Sequence, residues 1–134
     1  MKNQKPLAPV LEPEILKKID LYLEEFYPNA VNAGNEMFSA ELGKAQIRGL
    51  ETLVTSTSRF SEVINYIKNQ TGKDKKGKWL QAGPLLLDQL DLLENKADEI
   101  GQGDATTVLE IKLRLARGWA KQVTTHYLYS RSQK

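Results

Sequence analysis

The feature that most constrains this chain is the stretch Asp104 to Arg131, DATTVLEIKLRLARGWAKQVTTHYLYSR, whose apolar residues recur at helical spacing. At about 100° per residue, Val108, Ile111, Leu115, Trp119 and Val123 share one face. Leu109, Ala116, Ala120 and Tyr127 widen it. A helix apolar over roughly half its circumference is gripped on more than one side, so the remaining segments are expected to cover it. Arg114, Arg117 and Lys121 follow at spacings of three and four and form a basic row, with Glu110 at its head one turn before Arg114. One helix thus offers a broad apolar face for the fold and a narrow basic edge that is free to carry function.

The other segments read as helices as well. Pro13 suits a first turn, and Ile15, Leu16, Ile19, Leu23 and Phe26 keep helical spacing until Pro28, where the segment is expected to end. Residues 29–38, NAVNAGNEMF, read as a loop. Ser39 is expected to cap a second helix reaching about Thr57, with Leu42, Gln46, Leu50, Leu53 and Val54 inside and Lys44 and Arg48 one turn apart outside. The polar run Thr55–Ser58 predicts a break. Phe60, Val63, Ile64 and Ile67 then open a third helix that Gly72 stops.

Residues 72–78, GKDKKGK, hold four lysines, one aspartate and two glycines. They read as a solvated loop, or as a basic finger in which Lys75, Lys76 and Lys78 meet phosphate. Trp79 and Leu80 form an apolar anchor after it, and Pro84 is expected to begin a fourth helix to Ile100. There Leu86, Leu90, Leu93, Ala97 and Ile100 keep the 4-3-4-3 spacing of bundle packing, while Asp88, Asp91, Glu94 and Asp98 line another face. Gly101 fits the left-handed residue past a helix end, and Asp104 fits the cap of the last helix. Period-two alternation, hairpin dipeptides and repeats are all missing. The reading is all-α, a single-domain compact bundle of about five helices over 13–131, preceded by a flexible N-terminal arm, 1–12, that carries Pro6 and Pro9.

At 134 residues a single core suffices without staples. With no cysteine in the chain, disulfides, thiol nucleophiles and cysteine-ligated metals are excluded. No apolar run approaches the ~20 residues of a membrane span, and MKNQKPLAPVLE has no apolar signal core, so a soluble cytoplasmic protein is expected. The net charge of +2 conceals blocks: −2 over residues 1–40, +4 over 41–83, −5 over 84–104 and +5 over 105–134. Like-signed blocks on a small bundle become like-signed surfaces.

Enzyme chemistry finds little support. His126, the single histidine, lies near Trp119 and Val123 and reads as a packed residue with one hydrogen bond, since no orienting partner is identifiable. The acidic row lacks the Glu-x-x-His pairs of di-metal bundles and reads as a solvated or partner-facing surface. Phosphate-loop, dinucleotide and zinc-protease motifs are absent, and no cofactor is expected. Lys112 projects into the apolar arc, which requires either a pair with an acid of helix one or four, or an open, partner-facing patch. Lys44, Arg48, Arg114, Arg117, Lys121 and the 73–78 lysines could merge into one stripe. Such a stripe meets nucleic-acid phosphates by charge and shape rather than reading bases.

KAQIRGLETL (Lys44 to Leu53), VINYIKNQTGK (Val63 to Lys73) and LRLARGWAKQVTTHYLYSR (Leu113 to Arg131) together resemble the small all-helical subunit of type III CRISPR effector complexes, over roughly residues 40–131. The resemblance implies a non-catalytic protein of antiviral defence that stacks copies head to tail inside a ribonucleoprotein filament. There it would brace guide RNA and target by backbone contacts. It implies Lys44, Arg48, Arg114, Arg117 and Lys121 as the nucleic-acid contacts, with the acidic face Asp88, Asp91, Glu94 and Asp98 meeting the basic flank of the next copy. A rival expectation from the charge blocks is a protein–protein adaptor or homo-oligomeric bundle that binds no nucleic acid.

Overall fold

The structure, a computed structural model, describes residues 10–74 and 76–133. It is all-α: α1 (Pro13–Ser39), α2 (Lys44–Ser56), α3 (Phe60–Lys73), α4 (Lys78–Gly101) and α5 (Ala105–Ser132) form one bundle. Each of the other four helices packs on α5, α1 most extensively. Val108, Ile111, Leu115, Ala116, Trp119, Ala120, Val123 and Tyr127 are buried there as expected, and Leu113 and Thr124 join them. Leu109 does not: it is 39% exposed, at the edge of the arc rather than inside it.

Contacts fix the helix directions. Leu23 lies against Gly118, and Gly34 against Val123 and Tyr127, so α1 and α5 run parallel. Gln89 reaches Trp119, Glu94 reaches Lys112 and Gly101 meets Val108, so α4 is antiparallel to α5. The Leu42 carbonyl accepts from Tyr127 Oη, and Phe60 lies beneath the Lys112 ammonium, so α2 also runs against α5.

Two helices are longer than their prolines suggested. Helix α1 continues through Pro28 to Ser39, absorbing the segment expected to be a loop. A proline inside a helix removes one backbone hydrogen bond. Here Pro28 is exposed, and the small buried residues Ala30, Ala33 and Gly34, with Met37, carry the helix on along α5. A Cβ on Gly34 would lie 2.6 Å from the Val123 carbonyl oxygen, so this close approach depends on glycine. Ser39 is therefore the last residue of α1 rather than a cap of α2. The cap of α2 is Gly43, whose N–H donates to Gln46 Oε1 at 2.8 Å, and Ile47 is the buried residue that the inner-face pattern lacked.

Helix α4 likewise begins at Lys78, ahead of Pro84. Asp74 is the reason: its carboxylate accepts the N–H of Trp79 at 2.5 Å and that of Lys76 at 3.0 Å, capping α4 from the lysine-rich turn. Trp79, Ala82 and Gly83 are buried beside α3, with Tyr66 edge-on to Trp79. At the other end Gln102 and Gly103, not Gly101, take the left-handed turn, and Asp104 caps α5 by accepting the Thr107 N–H at 2.9 Å. Of the expected flexible arm, residues 1–9 lie outside the described residues, Val10 is exposed, and Leu11 already packs in the core at 6% exposure.

Candidate nucleic-acid interface

The basic edge of α5 is built by elimination. Trp119 points at α4, where its indole N–H donates to Gln89 Oε1 at 2.8 Å. At about 100° per residue Glu110, Arg114, Arg117 and Lys121 fall on the opposite side of the cylinder. The row therefore faces away from α4. Helix α2 flanks it: Gly49 lies 3.1 Å from Tyr66 Oη of α3 once given a Cβ, so Lys44, Arg48 and Glu51 stand on the α2 flank turned from α3. Since α2 runs against α5 from Leu42 at Tyr127 to Phe60 at Lys112, Arg48 stands at about the level of Lys121.

The charges on this edge are not all free. Glu110 is buried at 9% exposure, and its Oε2 lies 3.4 Å from Arg114 Nε and 3.9 Å from an Arg117 terminal nitrogen. A buried carboxylate is costly unless paired, so the two guanidiniums are needed to keep Glu110 where it is. The basic edge expected to be free is therefore partly engaged: the Arg117 side chain is only 35% exposed, and both arginines contact Glu110. Arg48 lies 3.3 Å from Glu51, an exposed pair worth about 0.2–0.5 kcal/mol on a helix surface. Lys44 and Lys121 are exposed and make no ion pair among the described residues. Five cations thus share an edge with two carboxylates, leaving it positive.

The other predicted residues divide. Lys75 lies outside the described residues. Lys76 is exposed, and half-buried Lys78 opens α4; both sit at the α3–α4 turn, on the side of the bundle away from the α2–α5 edge. Asp74 works against a basic finger here. It holds the turn in place, and the backbone N–H groups of Trp79 first and then of Lys76, Lys78 and Gly77 keep its carboxyl below the usual carboxylate range.

Asp88, Asp91 and Asp98 are exposed on the outer surface of α4. Glu94 departs from that face: it turns inward to Lys112 at 2.9 Å, with the Lys112 ammonium 5.5 Å from the Phe60 ring centre. Lys112 is therefore paired with an acid of the fourth helix. His126 is half-buried, with its Nε2 2.8 Å from Tyr27 Oη and the two rings edge to face at 5.3 Å. This ties α1 to α5.

Among the described residues no three histidines or carboxylates are grouped to hold a metal ion, and no helix is long and apolar enough to cross a membrane. Sequence reasoning placed Glu110 at the head of the basic row but missed its burial. The spacing carried a signal for the pairing alone, since residues 110, 114 and 117 share one edge and a carboxylate there meets both guanidiniums. No family model, curated protein or solved structure matches the chain.

Proposed function

We propose that this chain is a non-catalytic structural subunit of an RNA-guided ribonucleoprotein complex of the type III CRISPR kind, acting in the cytoplasm. It lays the α2–α5 edge along the sugar–phosphate backbone of guide RNA or target. The observation that supports the reading is the polarity of the bundle. One edge carries Lys44, Arg48, Arg114, Arg117 and Lys121 against Glu51 and Glu110, while the outer surface of α4, across the bundle, carries Asp88, Asp91 and Asp98. A positive edge attracts a polyanion by counterion release, and the paucity of exposed aromatic rings beside it fits backbone contact rather than base reading.

The test reverses Lys44 and Lys121, which are exposed and make no ion pair among the described residues, rather than Arg114 and Arg117, which hold a buried carboxylate. Lys44→Glu with Lys121→Glu is expected to keep the helical circular-dichroism spectrum and to weaken binding of a labelled RNA. Wild-type binding should fall steeply between 50 and 200 mM salt, each neutralised phosphate contributing about 0.9 to the log–log slope for duplex and 0.7 for single strands. Binding indifferent to salt and to the double reversal contradicts the proposal.

A second reading is favoured by the same polarity: opposite charges on opposite sides suit head-to-tail contact between copies, or docking on a protein partner. Size-exclusion chromatography with and without RNA separates the two. Assembly without RNA, broken by Asp88→Lys with Asp91→Lys, combined with no RNA retention, selects the adaptor.

A further inference from the structure

We infer that Glu110, Arg114 and Arg117 form an anion seat in which the buried carboxylate positions two guanidiniums to clasp one phosphodiester group. The inference rests on the nucleic-acid reading above and names the atoms of its contact.

Two guanidiniums bring ten N–H donors to a single carboxylate. Both contacts converge on the same oxygen, Glu110 Oε2, at 3.4 Å from Arg114 Nε and 3.9 Å from the terminal nitrogen of Arg117. Arg117 Nε is buried and meets no hydrogen-bond partner among the described residues. The Arg114 and Arg117 side chains remain 46% and 35% exposed, whereas that of Glu110 is 11% exposed. The triad thus sets two positive charges against one negative, with the exposed parts of both arginine side chains turned to solvent and anchored from below by a carboxylate that a ligand cannot easily reach. Such an arrangement calls for a second anion on the solvent side.

A phosphodiester fits better than a lone carboxylate. Lys121 continues the row one turn beyond Arg117, and Arg48 stands at about its level on α2, so the positive field extends along a line rather than around a point. The non-bridging oxygens of one phosphate accept from both forks, and its neighbours along the strand meet the flanking lysine and arginine. Glu110 is a positioning residue in this account: it acts through the arginines and does not touch the ligand.

The test exploits a contradiction of signs. Glu110→Gln raises the net charge, so bulk electrostatics demands tighter RNA binding, whereas loss of the anchor demands weaker binding. The probe is a fluorescein-labelled single-stranded RNA of mixed sequence, titrated with the full chain and followed by anisotropy. We expect Glu110→Gln to weaken binding about tenfold, as for the loss of one charge-assisted contact. Its salt slope should fall by about 0.7, the share of one phosphate on a single strand. Arg114→Lys with Arg117→Lys, which keeps the charge and removes the forks, should weaken binding similarly and carries the test if Glu110→Gln proves unfolded by circular dichroism.

Equal or tighter binding by a folded Glu110→Gln overturns the seat while leaving the broader reading intact. Unchanged affinity of the double lysine variant does the same. A wild-type chain that binds no RNA overturns both, and if Glu110→Gln then also abolishes self-association, the seat belongs to a carboxylate of a second copy.

Discussion

Trp119 donates its indole N–H to the side-chain oxygen of Gln89 at 2.8 Å, and the same amide passes its own N–H to the Asn29 carbonyl at 2.8 Å. One glutamine, 3% exposed, therefore ties α1, α4 and α5 together through a buried polar relay. Replacing it by an apolar residue of similar size strands the indole N–H. Gln89→Leu should lower the unfolding free energy by about 1–3 kcal/mol, the usual penalty for an unsatisfied buried donor. Urea denaturation measures it, and Gln89→Leu in a Trp119→Phe background should cost clearly less, because no donor is then left without a partner. Equal costs in the two backgrounds would show that the relay contributes nothing specific.

The close crossing of α1 and α5 makes a second pair of outcomes. A methyl group at Gly34 meets the Val123 carbonyl oxygen at 2.6 Å and the Tyr127 nitrogen at 2.9 Å, both backbone atoms that cannot step aside. Gly34→Ala should destabilise by about 1–3 kcal/mol, as overpacking does. Gly72, near the end of α3, has nothing within 4 Å of such a methyl, so Gly72→Ala should stabilise by about 0.5–1 kcal/mol through helix propensity. Thermal melts of the two variants should move in opposite directions.

How much of this was legible beforehand follows from what each residue signals locally. The apolar arc of α5, the leucine seam of α4 and the Asp104 cap all rest on spacing and side-chain type, and the structure shows them in place. Pro28 and Pro84 misled because a proline marks a boundary only when nothing else sustains the helix. At both sites small residues of the same helix, buried against a neighbouring helix, do so, and that is tertiary information. Lys112 shows the same limit from the other side. Its need for an acid could be read from position, whereas the choice of Glu94, and hence its withdrawal from the acidic face, required the fold. Burial of Glu110 likewise depends on how closely its neighbours approach, which no single-helix projection contains.

Acid should expose the two capping aspartates. Asp74 is held below the usual carboxylate range chiefly by the Trp79 N–H, and Asp104 by the Thr107 hydroxyl and then its N–H. A carboxylate whose folded value is depressed contributes stability that is fully present above its unfolded value, about 3.9, and is lost as pH falls through the lower folded value. The difference in urea midpoint between wild type and Asp74→Asn should therefore be constant near neutrality and shrink below about pH 4. Asp104→Asn should behave alike. A difference that persists undiminished at pH 2 would mean that the ionised carboxylates are not what the caps require.

The turn from α1 to α2 carries a residue in an unfavourable conformation. The Leu42 N–H donates back to the Met37 carbonyl at 3.2 Å and the Glu41 N–H to that of Phe38 at 2.9 Å, a closure that places Glu41 at a φ of 65°. Left-handed backbone costs an L-residue about 1–2 kcal/mol, of which glycine's greater unfolded-state freedom returns about 0.5–1. Glu41 is exposed and makes no ion pair among the described residues, so removing its side chain forfeits no contact seen in the fold. Glu41→Gly should accordingly raise stability by about 0.5–1 kcal/mol in urea denaturation. The groove beside it, about 590 Å³ between Phe38, Leu42, Tyr127 and Arg131, offers the one route by which the outcome could reverse. If Glu41→Gly is destabilising, and the loss vanishes in high salt, then attraction between Glu41 and the Arg131 guanidinium across that groove outweighs the backbone strain.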